Sequence, residues 1–191
     1  MSILKKKDKI RKVLLKKLFS LTKKEILTKS DKIKENLCSL PIYRNSKTIM
    51  GYYPKKGEVD ILGMMQEALR EGKIICLPVI DLKKNELYPF EVKDFSDCIL
   101  GPFGIREPDA KKSKMIDTKD IDIILTPAIA FDYKKNRLGR GKGFYDKFLK
   151  KINKNTIKIG LAFDFQILES LPTHTKIDQK VSLIVTERFL V

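Results

Sequence analysis

Residues 120–149 read DIDIILTPAIAFDYKKNRLGRGKGFYDKFL, and their order decides the fold. A continuous apolar run, 120–131, turns at Pro127. A loop with glycines at 139, 141 and 143 follows, then a helical pattern from Phe144 to Ile152. Runs without polar alternation mark strands covered on both faces. Strand, glycine loop and helix in succession is the unit from which parallel α/β sheets are built.

The rest of the chain repeats this alternation. Ile10, Val13, Leu14, Leu18 and Leu21 recur every three or four residues, which predicts an amphipathic helix over the first 24 residues. A second helix is expected from Lys23 to Leu40, stopped at Pro41. Strands are expected at 47–53, 73–80, 156–163 and 181–186, an edge strand at 87–92, and a helix at 59–72 ended by Gly72. GPFGIREPD (101–109) reads as a loop. The prediction is a single domain over 1–191, a three-layer α/β/α arrangement with a largely parallel central sheet.

Composition narrows the function. With 42% hydrophobic and 34% charged residues the chain is globular in character, and it has no run of membrane-spanning length. The N-terminus lacks the apolar core of a signal peptide, and the three cysteines are widely spaced, so a cytoplasmic protein with free thiols is expected. His174 stands alone, without a nucleophile or second ligand beside it in sequence. A net charge of +16 admits a polyanionic small molecule or nucleic acid as partner. No nucleic-acid motif accompanies the charge, so nucleic acid is not expected to be the partner.

The glycine loop is where chemistry is expected. Glycines let a backbone turn sharply and approach a ligand, and successive amides can then face one concavity that cradles phosphate. The following helix N-terminus adds partial positive charge, and Arg137, Arg140 and Lys142 add full charges. Asp146 is able to hold Mg²⁺ against phosphate oxygens, since magnesium takes one or two carboxylates with substrate oxygens. The pattern is neither GxxxxGK[ST] nor GxGxxG, so spacing alone leaves an anion site of unassigned kind. On the first helix Lys7 and Arg11 align with Leu14 and Leu18 beside the apolar stripe. Lys5, Lys9, Lys12 and Lys16 point away, and Lys17 also falls near the stripe.

TPAIAFDYKKNRLGRGKGFYDKFL (126–149) is similar to the signature of the 5-formyltetrahydrofolate cyclo-ligase family, also called 5,10-methenyltetrahydrofolate synthetase. Lys7 and Arg11 match its N-terminal K-x-x-x-R, YYPKKGEVD (52–60) its Y-x-P-x-x-x-E motif, and GKIICLPVI and GPFGIREP two further segments. The tail departs: Ile177-Asp178 stands where the family has His-Asp, and Ser182 where it has a second aspartate.

The resemblance implies ATP- and Mg²⁺-dependent closure of 5-formyltetrahydrofolate to 5,10-methenyltetrahydrofolate, with ADP and phosphate released. It implies ATP binding by Lys7, Arg11, Arg137, Leu138, Gly139, Arg140, Gly141, Lys142, Gly143, Phe144 and Tyr145. Folate binding falls to Tyr53 and Glu58 with residues 140–144, magnesium to Asp146 and Asp178, and catalysis to Arg140 and Lys142. A monomer acting on a small molecule, with polyglutamylated folate as one form of it, is expected. Two other classes compete: a different phosphate-handling α/β enzyme, and a basic nucleic-acid-associated protein.

Overall fold

Side-chain alternation along the sheet strands sorts the core into two faces, in a computed structural model that describes residues 2–174 and 177–191. Ile49, Ile75, Leu77, Ile123 and Leu125 join one apolar cluster, with Leu14, Leu18, Ile33, Leu37 and Met65 from the helices. Their strand neighbours Met50, Cys76 and Ile124 join another, with Phe148 and Leu149. A strand buried on both faces needs apolar residues at consecutive positions, which is why these strands read as runs. Each fully buried Leu or Ile stabilises the fold by about 1.5–3 kcal/mol.

The elements in chain order are α1 (Ile3–Ser20), α2 (Lys23–Ser39), α3 (Pro41–Arg44), β1 (Thr48–Met50), α4 (Leu62–Arg70), β2 (Ile74–Asp81) and β3 (Glu86–Val92). They continue with β4 (Ile99–Leu100), β5 (Arg106–Glu107), β6 (Ile123–Pro127), β7 (Ala130–Asp132), β8 (Arg137–Leu138), α5 (Phe144–Lys151), β9 (Ile157–Leu161), β10 (Ile167–Leu168) and β11 (Leu183–Val185). Thr22 separates the first two helices. Its hydroxyl accepts from Glu25 N at 3.2 Å while the Glu25 carboxylate takes the Thr22 amide at 2.8 Å, a reciprocal cap. Six strands form the central sheet in the order β11-β9-β6-β1-β2-β3, parallel throughout except for β3 against β2. Helices α1, α2 and α4 cover one face and α5 the other, so the expected layers and the largely parallel sheet are present.

Several boundaries differ from the sequence expectation for identifiable reasons. The helix expected from 59 begins at Leu62. Val59 and Ile61 are drawn into the core, and Asp60 Oδ1 caps the Leu62 amide at 3.0 Å. The strand within the 120–131 run starts later than expected, at Ile123, and turns at Pro127 as expected, with β7 beyond it. Beyond it the Ile129 amide donates to Leu138 O at 2.8 Å, and β7 joins a small separate sheet, β10-β7-β8. The 101–109 loop contains half of a hairpin, β4 with β5, whose 3-10 turn holds Phe103 at φ +61°. Pro41 ends α2 as expected and also opens α3, where its missing N–H costs nothing.

The chain passes from β1 through α4 to β2 on one side, then returns to place β6 on the other side of β1. Strand order therefore reverses between β1 and β6. In parallel sheets the carboxyl ends at such a reversal part and leave a crevice.

Candidate functional site

That crevice is a cleft of about 440 Å³. Tyr52, Tyr53, Lys55 and Glu58 enter it from the turn after β1, Pro127 and Ala128 from the end of β6, and Pro78 and Ile80 from β2. Lys7 and Arg11 reach it from α1, the whole of 137–146 walls it, and Asp178 with Ile177 closes one side. Every residue that the sequence assigned to ATP, folate or metal lines this one space.

The glycine loop has the backbone that a ligand cradle needs. Gly141 sits at φ +100° and Gly143 at φ +74°, both disfavoured for any residue with a Cβ. Gly143 is also the N-cap of α5 and supplies no side chain to it, so the first amides of α5 are left uncapped. No amide from Gly139 to Gly143 donates to a described residue. Arg11 clamps the loop from α1: its Nε donates to Gly139 O at 2.9 Å, and its guanidinium carbon lies 3.4 Å from where a Cβ on Gly141 would be.

Three cations of the cleft are each paired with one of its carboxylates. Lys7 Nζ lies 2.5 Å from Asp178 Oδ2, and Arg137 Nη2 lies 2.7 Å from Asp146 Oδ1. Arg140 donates from Nε to Glu58 Oε1 at 3.0 Å, with Nη2 at 2.9 Å from the same oxygen. The amide of His174 also donates to Asp178 and that of Gln179 to Asp146. Asp178 Oδ1 and Asp146 Oδ2 take no hydrogen bond from a described residue, so each carboxylate has an oxygen able to meet a cation. Lys142 is exposed and makes no ion pair among the described residues; its Nζ faces the Phe103 ring at 5.8 Å.

The apolar members form the other part of the site. Tyr53 is half-buried against the main core, and Phe144 packs on Phe103 with ring centroids 6.0 Å apart. Leu138 is buried. Arg137 is buried too, and its guanidinium lies 5.5 Å from the Tyr145 ring centroid. The Tyr145 hydroxyl is buried without a hydrogen-bond partner; burial, and then the nearby Glu58 charge, push its pKa well up. Burial, and then the Arg140 charge, lower the pKa of Lys55.

Helix α1 divides its cations as its periodicity implied. Lys7 is buried, while Lys5, Lys9, Lys12 and Lys16 are exposed. Lys17, on the edge of the stripe, faces the Phe165 ring at 4.2 Å and does not line the cleft. Ser182, where a second tail aspartate was noted as missing, accepts from Lys158 N at 3.3 Å beside β9, away from the cleft. Lys55 and Phe103 were missed as lining residues. Both sit inside quoted motifs, and Phe103 lies between two glycines or prolines where a single large ring is the outlier. A second groove, about 460 Å³ beside β3, is as large but lined by mixed charges, Lys93, Asp94, Asp97 and Lys112 among them. It contains none of the residues singled out above.

The model of the 5-formyltetrahydrofolate cyclo-ligase family matches residues 3–187 of the chain. A 5-formyltetrahydrofolate cyclo-ligase of Haemophilus influenzae is 36% identical over 132 residues, 68% of this chain and 71% of its own. A probable 5-formyltetrahydrofolate cyclo-ligase of Schizosaccharomyces pombe is 32% identical over 95% of both chains. Among solved structures, the NMR structure of Aquifex aeolicus 5,10-methenyltetrahydrofolate synthetase superposes with a TM-score of 0.85 at 37% identity, covering 96% of this chain and 91% of that one. No helix among the described residues is long and apolar enough to cross a membrane.

Proposed function

The chain belongs to the 5-formyltetrahydrofolate cyclo-ligase family of ATP-dependent ligases, and on that premise we propose that its cleft closes 5-formyltetrahydrofolate to 5,10-methenyltetrahydrofolate by way of a phosphorylated formyl oxygen. The formamide oxygen is a poor leaving group. It attacks the γ-phosphorus of ATP, the bond to the β-phosphate oxygen breaks, and ADP departs. N10 then attacks the activated formyl carbon and loses its proton, the carbon–oxygen bond breaks, and phosphate leaves.

Phosphoryl transfer asks a protein chiefly for positioning and for neutralisation of spreading negative charge. The observation that carries the proposal is the row of unbonded amides from 139 to 143, set among Lys7, Arg11, Arg137, Arg140 and Lys142 in one cleft. Lys7, Arg11, Arg137 and the backbone of Leu138 to Tyr145 hold the triphosphate in this reading. Arg140 and Lys142 meet the transferred group. Tyr53, Glu58 and the Arg140–Phe144 segment hold the folate, with the carboxylate of Glu58 accepting from the donor edge of the pterin.

Magnesium fits the donor set. Asp146 and Asp178 are hard oxygen ligands on the cleft wall, each with an oxygen not engaged by a described residue, and two carboxylates with phosphate oxygens make a usual magnesium site. When bound there, magnesium supplies charge neutralisation at the phosphate oxygens.

We take the chain to be a single catalytic unit over residues 1–191. We take it to act as a monomer. Its three free thiols accord with the cytoplasm. The test is direct. Purified protein with ATP, Mg²⁺ and 5-formyltetrahydrofolate generates the near-ultraviolet chromophore of the methenyl product. Absence of an ATP-dependent signal refutes the assignment, and a steep salt dependence of binding to unrelated duplexes instead points to the nucleic-acid class.

A further inference from the structure

We propose that the Arg140–Glu58 ion pair is a latch that couples the two binding subsites, so that nucleotide and folate each strengthen the binding of the other. The inference rests on the reading above, in which Arg140 meets phosphate and Glu58 meets the pterin.

The two residues stand on different walls of the cleft, Glu58 in the turn after β1 and Arg140 in the glycine loop. Arg140 Nε donates to Glu58 Oε1 at 3.0 Å and Nη2 lies 2.9 Å from the same oxygen, while Oε2 accepts the Lys55 amide at 2.9 Å. The Glu58 side chain is only 8% exposed, and that guanidinium is the cation in direct contact with it. A carboxylate engaged in this way has no free Oε1 for a ring's donor edge, and Arg140, with Nε and Nη2 turned to Glu58 and Nη2 buried, offers phosphate Nη1 alone and no two-nitrogen fork.

The closed pair is not a finished structural element. Arg140 Nη2 is buried without an aligned acceptor although it lies 2.9 Å from Oε1, and the Tyr145 hydroxyl is buried unpartnered. Buried polar groups in structural networks are normally satisfied. Here they are left open around a pair whose members both have other work to do. The amides of the glycine loop that bears Arg140, from 139 to 143, make no bond to a described residue, and Arg11 ties the loop through Gly139 O, one residue before Arg140.

The energetic consequence is reciprocal. Nucleotide alone must separate Arg140 from Glu58 and leave a nearly buried carboxylate uncompensated. Folate alone must do the converse. When both are present one separation serves both ligands, so each affinity improves by the same factor.

Isothermal titration of the full chain with a non-hydrolysable ATP analogue plus Mg²⁺, and with 5-formyltetrahydrofolate, alone and together, reads this factor. We expect about 5–150-fold mutual improvement. The variants Glu58→Gln and Glu58→Asp are titrated with the analogue in the absence of folate. The first removes the charge; the second keeps it but withdraws the oxygen by about the length of one C–C bond, ~1.5 Å. Both are expected to bind the analogue more tightly than wild type. A wild-type factor of one overturns the latch, and that measurement holds even if neither variant folds. Tighter binding by Glu58→Gln alone overturns it in favour of a general charge effect. Failure of the wild type to bind either ligand refutes the assignment of the cleft itself, a result distinct from binding without coupling.

Discussion

Lys7→Ala tests the longest-range contact of the cleft, which ties α1 to the tail across 171 positions of sequence. Lys7 and Asp178 have side chains 9% and 13% exposed, so the pair is largely but not fully withdrawn from water. Removing one member of a buried pair costs about 3–5 kcal/mol, because the other charge stays desolvated. The small remaining exposure and the His174 amide on Asp178 argue for the lower end, ~3 kcal/mol. For a chain of this size that corresponds to a fall in Tm of about 6–12 °C. Asp178→Ala is expected to cost less, since the long stem of Lys7 is able to carry its ammonium toward water. The double variant should therefore be more stable than the summed single losses imply, by about 1–2 kcal/mol in urea unfolding at 25 °C. It should nonetheless remain inactive, because the proposed reaction assigns phosphate binding to Lys7 and metal binding to Asp178. A coupling below about 0.5 kcal/mol means that the pair is not a buried one in solution. Recovery of turnover by the double variant means that neither side chain serves the reaction.

Lys142→Ala removes the loop cation that has no ion-pair partner among the described residues, so kcat/KM for ATP should fall about 10- to 150-fold, the worth of one charge-assisted contact. Its Tm should stay at the wild-type value, and a matching loss of Tm refutes a purely ligand-facing role. Adding Arg140→Ala should extend the loss in turnover to orders of magnitude; near-normal rates in that double variant mean that the loop is only a turn. Burial raises the Glu107 carboxyl above the ordinary carboxylate range, so the folded state keeps its proton to higher pH than the unfolded chain does. Its contribution is then full below the ordinary range and is lost as pH rises through the folded-state value. Glu107→Gln, still able to accept from the Ile80 amide, should gain stability relative to wild type between about pH 4 and pH 7 in urea melts, and a constant gap refutes the assignment. Burial also raises the thiols of Cys38, Cys76 and Cys98, so iodoacetamide should label all three only after denaturation, as read by mass spectrometry.

Much of the cleft was readable before any coordinate because its parts are local. Gly141 and Gly143 occupy backbone angles that side chains avoid, and a loop that needs such angles declares itself by composition. The division of lysines on α1 follows from a rotation of about 100° per residue, which any chain obeys once it is helical. The strands declared themselves as apolar runs for the same reason: burial on both faces is a property of each segment's own residues. Where the expectation slipped, as at 59–61, a distant partner outweighed local preference: Ser30 takes the Asp60 amide at 2.9 Å.

Sequence alone therefore determined the alternation of elements, the glycine loop and which residue types stand ready for a polyanion, since each depends on neighbours a few positions away. Only the tertiary structure decided that Lys7 meets Asp178, that Arg137 turns inward to Asp146, and that Arg140 reaches Glu58 across 82 positions. Those pairings follow from the reversal of strand order between β1 and β6, which gathers remote segments at the carboxyl ends of the central strands. The force that sets them is Coulombic attraction at close range in a poorly solvated cleft, and it depends on distance in space, which no local pattern encodes.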